Sequence, residues 1–159
     1  LLDHTRLRGD LRLRGDGKVQ RSDKAGKSTT QWAGKDSPDG QFDQPHSILV
    51  DKQNQVFVAD RENRRVQIFD VNGKFIKSWK FAGLPCGLLT GPDQQMYLAT
   101  RFSGQILRLD ANGKAIAMMG QPGKALGEFG EAHYLAFAPS GDLFVADTIN
   151  AVLHRYTKN

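Results

Sequence analysis

Residues 40–79, GQFDQPHSILVDKQNQVFVADRENRRVQIFDVNGKFIKSW, predict one module of four short β-strands. Four runs rich in β-branched and aromatic residues alternate with polar, turn-like segments, and none has the 3.6-residue period of a helix. The third and fourth runs are joined by Asn72-Gly73, a pair that readily takes the positive φ angles of a hairpin turn. The predicted strands are His46–Val50, Gln55–Ala59, Val66–Phe69 and Lys74–Trp79.

The same pattern recurs along the chain. Val58-Ala59-Asp60 returns as Leu98-Ala99-Thr100 and as Val145-Ala146-Asp147, and the hairpin DVNGK at 70–74 returns as DANGK at 110–114 and DKAGK at 23–27. Successive hairpins begin 47 and 40 residues apart. Because one four-stranded sheet cannot bury both of its faces, neighbouring units must cover them. A period of about 40–50 residues with four strands per unit is typical of a β-propeller, so we expect an all-β fold of such blades.

The repeats predict about three and a half blades. Residues 1–17 are expected to be an irregular basic segment, and 18–158 to be the propeller. Within it we expect a partial blade of two outer strands at 18–34, whole blades at 42–80 and 82–120, and an incomplete blade at 128–158. Propellers generally use about 4–8 blades, and the chain starts with Leu rather than Met. We therefore expect a fragment, with unclosed blade edges that favour self-association.

Charge, cysteine content and hydropathy narrow the function classes. The net charge is +5, and residues 1–30 hold eight of the 22 Lys and Arg against four Asp. Clustered cations favour nucleic acid through counterion release, but no aromatic residue lies among them to stack a base. A solvated terminus is the simpler interpretation, and no nucleic acid partner is favoured. The sequence has no membrane-length apolar run. The single cysteine excludes an internal disulfide.

A phosphate loop is also suggested by KAGKST at 24–29, but that motif needs a Gly six residues before its Lys, and Arg21 stands there. The same residues fit the blade hairpin instead. No signal-peptide pattern follows Leu1-Leu2. The compartment is therefore open, and would be periplasmic or extracellular if a longer parent protein carries a signal peptide.

Three residues stand at the start of successive innermost strands. His46, Cys86 and His133 each precede the last residue of the repeated tripeptide, Asp60, Thr100 or Asp147, by 14 positions. Equivalent positions on innermost strands face one central channel, where imidazoles can share a borderline metal such as zinc. The alternative is that the two His are polar residues lining a wet channel. For Cys86, a small packed side chain is the favoured interpretation.

The stretch Phe42–Phe69 resembles the NHL-repeat β-propellers. More narrowly, Gln44–Ile68, with PHS followed by VADREN and a basic residue, is similar to the peptidyl-α-hydroxyglycine α-amidating lyase family and its bacterial relatives. The resemblance implies a six-bladed parent ring in which three His from alternate blades hold zinc. His46 and His133 match two of these ligand motifs. The third ligand, two blades before His46, and a catalytic Tyr, one blade before it, have no counterpart here.

The resemblance also implies a function. Zinc-assisted cleavage of the C–N bond of a peptidyl-α-hydroxyglycine would yield a peptide amide and glyoxylate, with Arg61 matching an Arg that neutralises the substrate carboxylate. The alternative for Arg61 is a surface ion pair, which contributes little energy. The alternative function is a non-catalytic propeller scaffold that binds protein or peptide partners. A sugar-lactone hydrolase is disfavoured because the strand starts carry His and Cys rather than carboxylates.

Overall fold

The computed structural model describes residues 10–33 and 40–158. All regular structure in these ranges is β, as the repeats predict. Blade I contains β1 (Asp10–Leu13), β2 (Val19–Ser22) and β3 (Ser28–Trp32). Blade II contains β4 (Pro45–Val50), β5 (Gln55–Asp60), β6 (Arg65–Asp70) and β7 (Phe75–Lys80). Blade III contains β8 (Leu84–Thr90), β9 (Met96–Arg101), β10 (Gln105–Leu109) and β11 (Ala115–Met119). A short parallel pair, β12 (Gln121–Pro122) and β13 (Glu128–Phe129), leads to blade IV, which contains β14 (Ala132–Phe137), β15 (Leu143–Asp147) and β16 (Val152–Tyr156).

Each blade is an antiparallel meander in which strands adjacent in sequence are also paired in space. The inner strand β8 lies between β4 and β14, so the starts of the innermost strands of blades II, III and IV face a shared region. No helix among residues 10–33 and 40–158 has the length and apolar character that a membrane span requires.

The recurrent hairpins form for the local reason that their sequence predicts. In each, an Asp carboxylate accepts the backbone N–H groups two and four residues further on. For Asp70 these bonds are 2.8 and 2.9 Å, and for Asp110 they are also 2.8 and 2.9 Å. Gly73 and Gly113 take φ angles of +90° and +79°, which side chains rarely adopt.

The same hairpins connect neighbouring blades. The indole of Trp32, at the end of blade I, covers Gly73 of blade II so closely that an added Cβ would meet the ring. Trp79, at the end of blade II, covers Gly113 of blade III in the same way. Each of these two positions therefore requires glycine for two reasons: the turn needs a positive φ angle, and the indole ring leaves no room for a Cβ.

The apolar core lies between blades rather than within them. Val19 of blade I packs with Val56 and Val58 of blade II, all three fully buried. Between blades II and III, Ile68 packs with Leu98. A third cluster, between blades III and IV, contains Ala99, Ile106, Phe129, Ala132, Leu143 and Val145. Burial of apolar surface at these three interfaces is the main stabilising contribution.

The N-terminal region differs from the prediction. Asp10–Leu13, expected to be irregular, forms β1 and pairs with β2. Leu11 and Leu13 pack against the core between blades I and II, which gives this polar stretch a reason to be extended. The partial blade therefore has three strands rather than the two predicted within 18–34. Residues 1–9 of the predicted irregular segment and residue 34 of the predicted partial blade lie outside the described ranges.

The open face of blade IV shows what a neighbouring blade normally covers. Leu153 pairs with Ala146 across β15 and β16, as Val66 pairs with Ala59 in blade II and Ile106 with Ala99 in blade III. Val66 and Ile106 are 0% and 2% exposed, whereas Leu153 is 66% exposed.

A buried carboxylate ends the second strand of blade II. Asp60 is fully buried and accepts hydrogen bonds from the backbone N–H of Asp43 at 2.7 Å, from Arg65 Nε at 2.6 Å and from Gln67 Nε2 at 3.1 Å. It also accepts from the side chain of Asn63. Asp60 thereby fixes the loop before β4 to the turn after β5, and those two segments carry the candidate site.

We predict that Asp60→Ala lowers the free energy of unfolding by about 3 kcal/mol, because it leaves several buried donors without an acceptor. Asp51→Ala is the matched control, since Asp51 accepts two backbone N–H groups in an exposed turn. Its loss should cost only about 1 kcal/mol. Urea unfolding followed by circular dichroism measures both, and equal costs would contradict this role of Asp60.

Candidate metal and anion site

The backbone brings the starts of the inner strands and the ends of the second strands to one end of the blades. Pro45 pairs with Asp60, Leu84 with Arg101 and Ala132 with Asp147. In each blade the pairing register shifts just after this point, so His46, Cys86 and His133 all lie at a β-bulge. A bulge redirects a side chain that regular pairing would hold on one face.

The two sequence-predicted imidazoles lie together. The ring centroids of His46 and His133 are 5.3 Å apart and the rings meet edge to face at 65°. They come from blades II and IV, with Cys86 of blade III between them in the sequence of strands. The geometry thus brings together the residues that the 14-residue spacing selected.

Each nitrogen of His46 has a defined partner. Nδ1 lies 3.1 Å from the backbone carbonyl of Gln44, and Nε2 lies 2.6 Å from Nη1 of Arg61. Because a guanidinium only donates, Nε2 must be the unprotonated acceptor and Nδ1 the donor. Burial lowers the pKa of His46, the Gln44 carbonyl partly opposes this, and the charges of Arg61 and His133 lower it further. His46 is therefore neutral at neutral pH.

The guanidinium of Arg61 is held inside the site. Arg61 is only 7% exposed, and it donates to Glu62 Oε1 at 2.8 Å and to the side-chain oxygen of Gln44 as well as to His46. The expected alternative, a surface ion pair, matches only the contact with Glu62. A buried cation with several directed N–H groups is suited to bind a carboxylate.

A carboxylate that sequence reasoning missed lies beside His133. Glu131 is buried, and its Oε1 lies 3.1 Å from His133 Nδ1 and 3.1 Å from Arg101 Nε, while Oε2 accepts from Thr148 Oγ1 at 2.8 Å. Burial alone would raise the pKa of Glu131, but the contacts with Thr148, His133 and Arg101 hold it below its usual value. The sequence feature that could have indicated Glu131 is its position two residues before His133, which matches the position of Gln44 two residues before His46.

Cys86 is fully buried beside the same carboxylate. Its sulfur lies 3.7 Å from the carbonyl oxygen of Leu84 and 3.9 Å from Glu131 Oε1. Burial, with the neighbouring charge of Glu131, raises the pKa of the thiol to about 11, so it is protonated at neutral pH. One donor atom each from Cys86, Glu131 and His133 lie within 4.8 Å of one another.

The donor set is chemically suited to zinc. Two imidazoles, a carboxylate and a thiol are all common zinc ligands. The hydrogen bond from His46 Nδ1 to the Gln44 carbonyl orients the ring and leaves Nε2 as the coordinating nitrogen, an arrangement typical of metal-bound His. Nη1 of Arg61 contacts that nitrogen, so a metal ion at His46 requires the guanidinium to turn away.

The comparisons with known proteins agree with the repeats. Residues 42–69 match the family model of the NHL repeat. Protein lin-41 of Caenorhabditis elegans is 55% identical over 40 residues, which are 25% of this chain and 4% of that protein. Peptidyl-glycine alpha-amidating monooxygenase of Mus musculus is 45% identical over 64 residues, covering 36% of this chain and 6% of that protein. The predicted resemblance to NHL repeats, with partial similarity to an amidating enzyme, is confirmed.

Solved structures establish the fold. The WD40 beta propeller domain of Doa1 superimposes with a TM-score of 0.73 at 10% identity, covering 100% of this chain and 49% of that chain. A streptogramin B lyase structure gives a TM-score of 0.64 at 13% identity, covering 94% and 54%. The chain thus spans about half the length of these propellers. The predicted propeller architecture is confirmed, and identities this low show the fold alone.

We predict that Arg61→Leu raises the pKa of His46, because it removes a neighbouring positive charge that disfavours the imidazolium. In the native chain the lowered pKa means that the unfolded state binds more protons below about pH 6.5, so acid destabilises the fold there. The variant should lose part of that acid sensitivity. NMR titration of the His46 ring protons in the presence of a chelator measures the shift.

Arg64→Leu is the control for this titration, because Arg64 lies in the same turn but is exposed and donates to the carbonyl of Ala82. It should leave the pKa of His46 unchanged. A His46 pKa that does not move in Arg61→Leu would contradict the contact between Arg61 and Nε2.

Proposed function

We propose that this chain is part of a lyase-like NHL propeller that cleaves a peptidyl-α-hydroxyglycine to a peptide amide and glyoxylate. The supporting observation is that His46 and His133, from alternate blades, converge with ring centroids 5.3 Å apart beside the buried guanidinium of Arg61. The partial similarity to peptidyl-glycine alpha-amidating monooxygenase points to the same chemistry.

In this proposal His46 and His133 hold zinc. When bound, zinc would act as a Lewis acid that polarises the substrate hydroxyl and stabilises the negative charge developing on its oxygen. The chain's own residues orient the ligands: the Gln44 carbonyl fixes the ring of His46, and Glu131 lies beside Nδ1 of His133. The substrate then loses its C–N bond, the electron pair and a proton go to the amide nitrogen, and the carbon becomes the aldehyde of glyoxylate.

Arg61 links carboxylate binding to metal binding. The guanidinium donates to His46 Nε2 in the free chain, and a substrate carboxylate would draw it away through paired charge-assisted hydrogen bonds. That movement uncovers the nitrogen that coordinates zinc. The family resemblance also implies a third His and a catalytic Tyr, for which this sequence has no matching motif. We therefore expect this chain alone to bind zinc and substrate carboxylate but to release little glyoxylate.

Metal analysis tests this proposal. The purified chain, loaded with zinc and passed through a desalting column, should retain zinc, and His46→Ala and His133→Ala should each retain less. Arg61→Leu should bind zinc more tightly than the native chain, because a competing cation is gone. His154→Ala is the matched control, since His154 lies on β16 beside Asp147. Zinc retention in His46→Ala that equals retention in the native chain would overturn the two-imidazole site.

A second candidate function is a scaffold that binds protein or peptide partners, including further copies of this chain. The observation that favours it is the exposed apolar face of blade IV, where Leu153 is open although the equivalent Val66 and Ile106 are buried against the next blade. The packing that holds successive blades together could therefore continue from one copy to another.

For this candidate we expect Leu153→Asp to abolish concentration-dependent association measured by sedimentation velocity. Leu126→Asp is the control, because Leu126 is equally apolar and 93% exposed but lies in the loop between β12 and β13. Association that persists in Leu153→Asp, or that is lost equally in both variants, would exclude the blade IV face as the contact.

A further inference from the structure

We propose that Cys86, Glu131 and His133 together bind one borderline divalent cation, such as Zn²⁺ or Co²⁺, through sulfur, a carboxylate oxygen and Nδ1. This ligand set differs from the two-imidazole site, because it excludes His46 and uses the other nitrogen of His133. It does not require the lyase activity proposed above.

The spacing of the donor atoms carries the proposal. Oε1 of Glu131 lies 3.1 Å from His133 Nδ1 and 3.9 Å from Cys86 Sγ, and one donor atom from each of the three side chains lies within 4.8 Å of the others. Zinc bonds of about 2.0–2.3 Å in a tetrahedron place neighbouring ligand atoms roughly 3.3–3.7 Å apart. The distances from Oε1 to Nδ1 and to Sγ are therefore within a few tenths of an ångström of the spacing that zinc requires. Small side-chain rotations would bring these three atoms to that spacing.

A second observation is that one of these donors, Nδ1 of His133, is poorly used by the protein itself. Nδ1 of His133 is buried and has no aligned hydrogen-bond partner, although Oε1 is only 3.1 Å away. The Cys86 sulfur lies 3.7 Å from the Leu84 carbonyl and 3.9 Å from Glu131 Oε1, and the backbone of Arg101 is a further hydrogen-bond partner. A buried polar atom without a well-aligned partner calls for an explanation, and a bound ion supplies one.

The negative charge of Glu131 is balanced by the guanidinium of Arg101. Its Nε lies 3.1 Å from Glu131 Oε1 but is also buried without an aligned hydrogen bond, and the side chain is 30% exposed. The guanidinium already lies 4.4 Å from the ring of Phe102, which is 59% exposed. Arg101 can therefore move outwards onto that ring when a divalent cation replaces it, while Thr148 keeps its bond to Oε2.

Binding requires one proton to leave. The sulfur coordinates as thiolate, so the thiol proton of Cys86 passes to solvent as the metal–sulfur bond forms. Glu131 contributes a second negative charge, and His133 coordinates as neutral imidazole. The ion then carries no net charge with its ligands, which suits a buried position.

Cobalt titration of the intact chain tests the proposal, because Cys86 is the single cysteine of the sequence. A near-ultraviolet thiolate-to-cobalt charge-transfer band in the native chain must therefore come from Cys86. We expect that band in the native chain, and its loss in Cys86→Ser. Glu131→Gln and His133→Ala should weaken the thiolate-bound cobalt by about tenfold or more, whereas the thiolate band should persist in His46→Ala.

Arg101→Met should bind cobalt more tightly than the native chain, because the guanidinium that competes with the metal ion for Glu131 is removed. Cobalt that binds the native chain without a thiolate band, or no cobalt binding at all, would overturn this site without requiring any variant to fold. Binding that survives Cys86→Ser but is lost in His46→Ala would overturn it as well, and would support the two-imidazole site instead. A thiolate band together with unchanged binding in His46→Ala would support this site while contradicting the zinc ligands of the proposed function.

Discussion

The need to bury both faces of each small sheet determines the arrangement of the molecule. Val56 and Val58 are fully buried in the cluster between blades I and II, and Leu98 in the cluster between blades II and III. The blades must therefore stand side by side, with their inner strands adjacent and their second-strand ends together. The candidate site follows from this packing: residues 87 positions apart in the sequence, His46 and His133, become neighbours because equivalent positions of stacked units converge.

Buried charge at that end of the blades is compensated locally rather than avoided. Asp60 is surrounded by donors from the preceding loop and the following turn, and Glu131 lies between Arg101, His133 and Thr148. Arg61 uses its N–H groups on a carboxylate, an amide oxygen and an imidazole. Such a network keeps acceptors and cations in fixed positions, and fixed positions are what anion or metal recognition requires.

The sequence was sufficient to predict the repeats, the hairpins and the shared position of His46, Cys86 and His133. Each of these features depends on local chemistry that recurs at a constant spacing. The Asp70 and Asp110 hairpins formed as their Asn-Gly pairs predict. Strand β1 was missed because its alternating charged and apolar residues resemble a solvated terminus until a neighbouring blade covers Leu11 and Leu13. Glu131 was missed because its role depends on contacts with Arg101 and Cys86, about 30 and 45 residues away, which no local pattern encodes. The contact of Arg61 with His46 likewise depends on the direction that a β-bulge gives to the ring.

The indole–glycine contact constrains which blades can stand next to each other when the repeat is duplicated. Blades I and II each end with an indole, and that indole covers the glycine in the last hairpin of the blade that follows. A tandem copy of such a unit therefore supplies the ring for its neighbour. A single blade taken from another propeller must match the blades on both sides. Otherwise the indole of one blade clashes with a side chain where the next blade needs glycine. Met119 stands where Trp32 and Trp79 end their blades, and a flexible thioether tolerates more varied neighbours than a rigid indole. Blade III is therefore the unit after which a foreign module can be spliced with the least steric conflict.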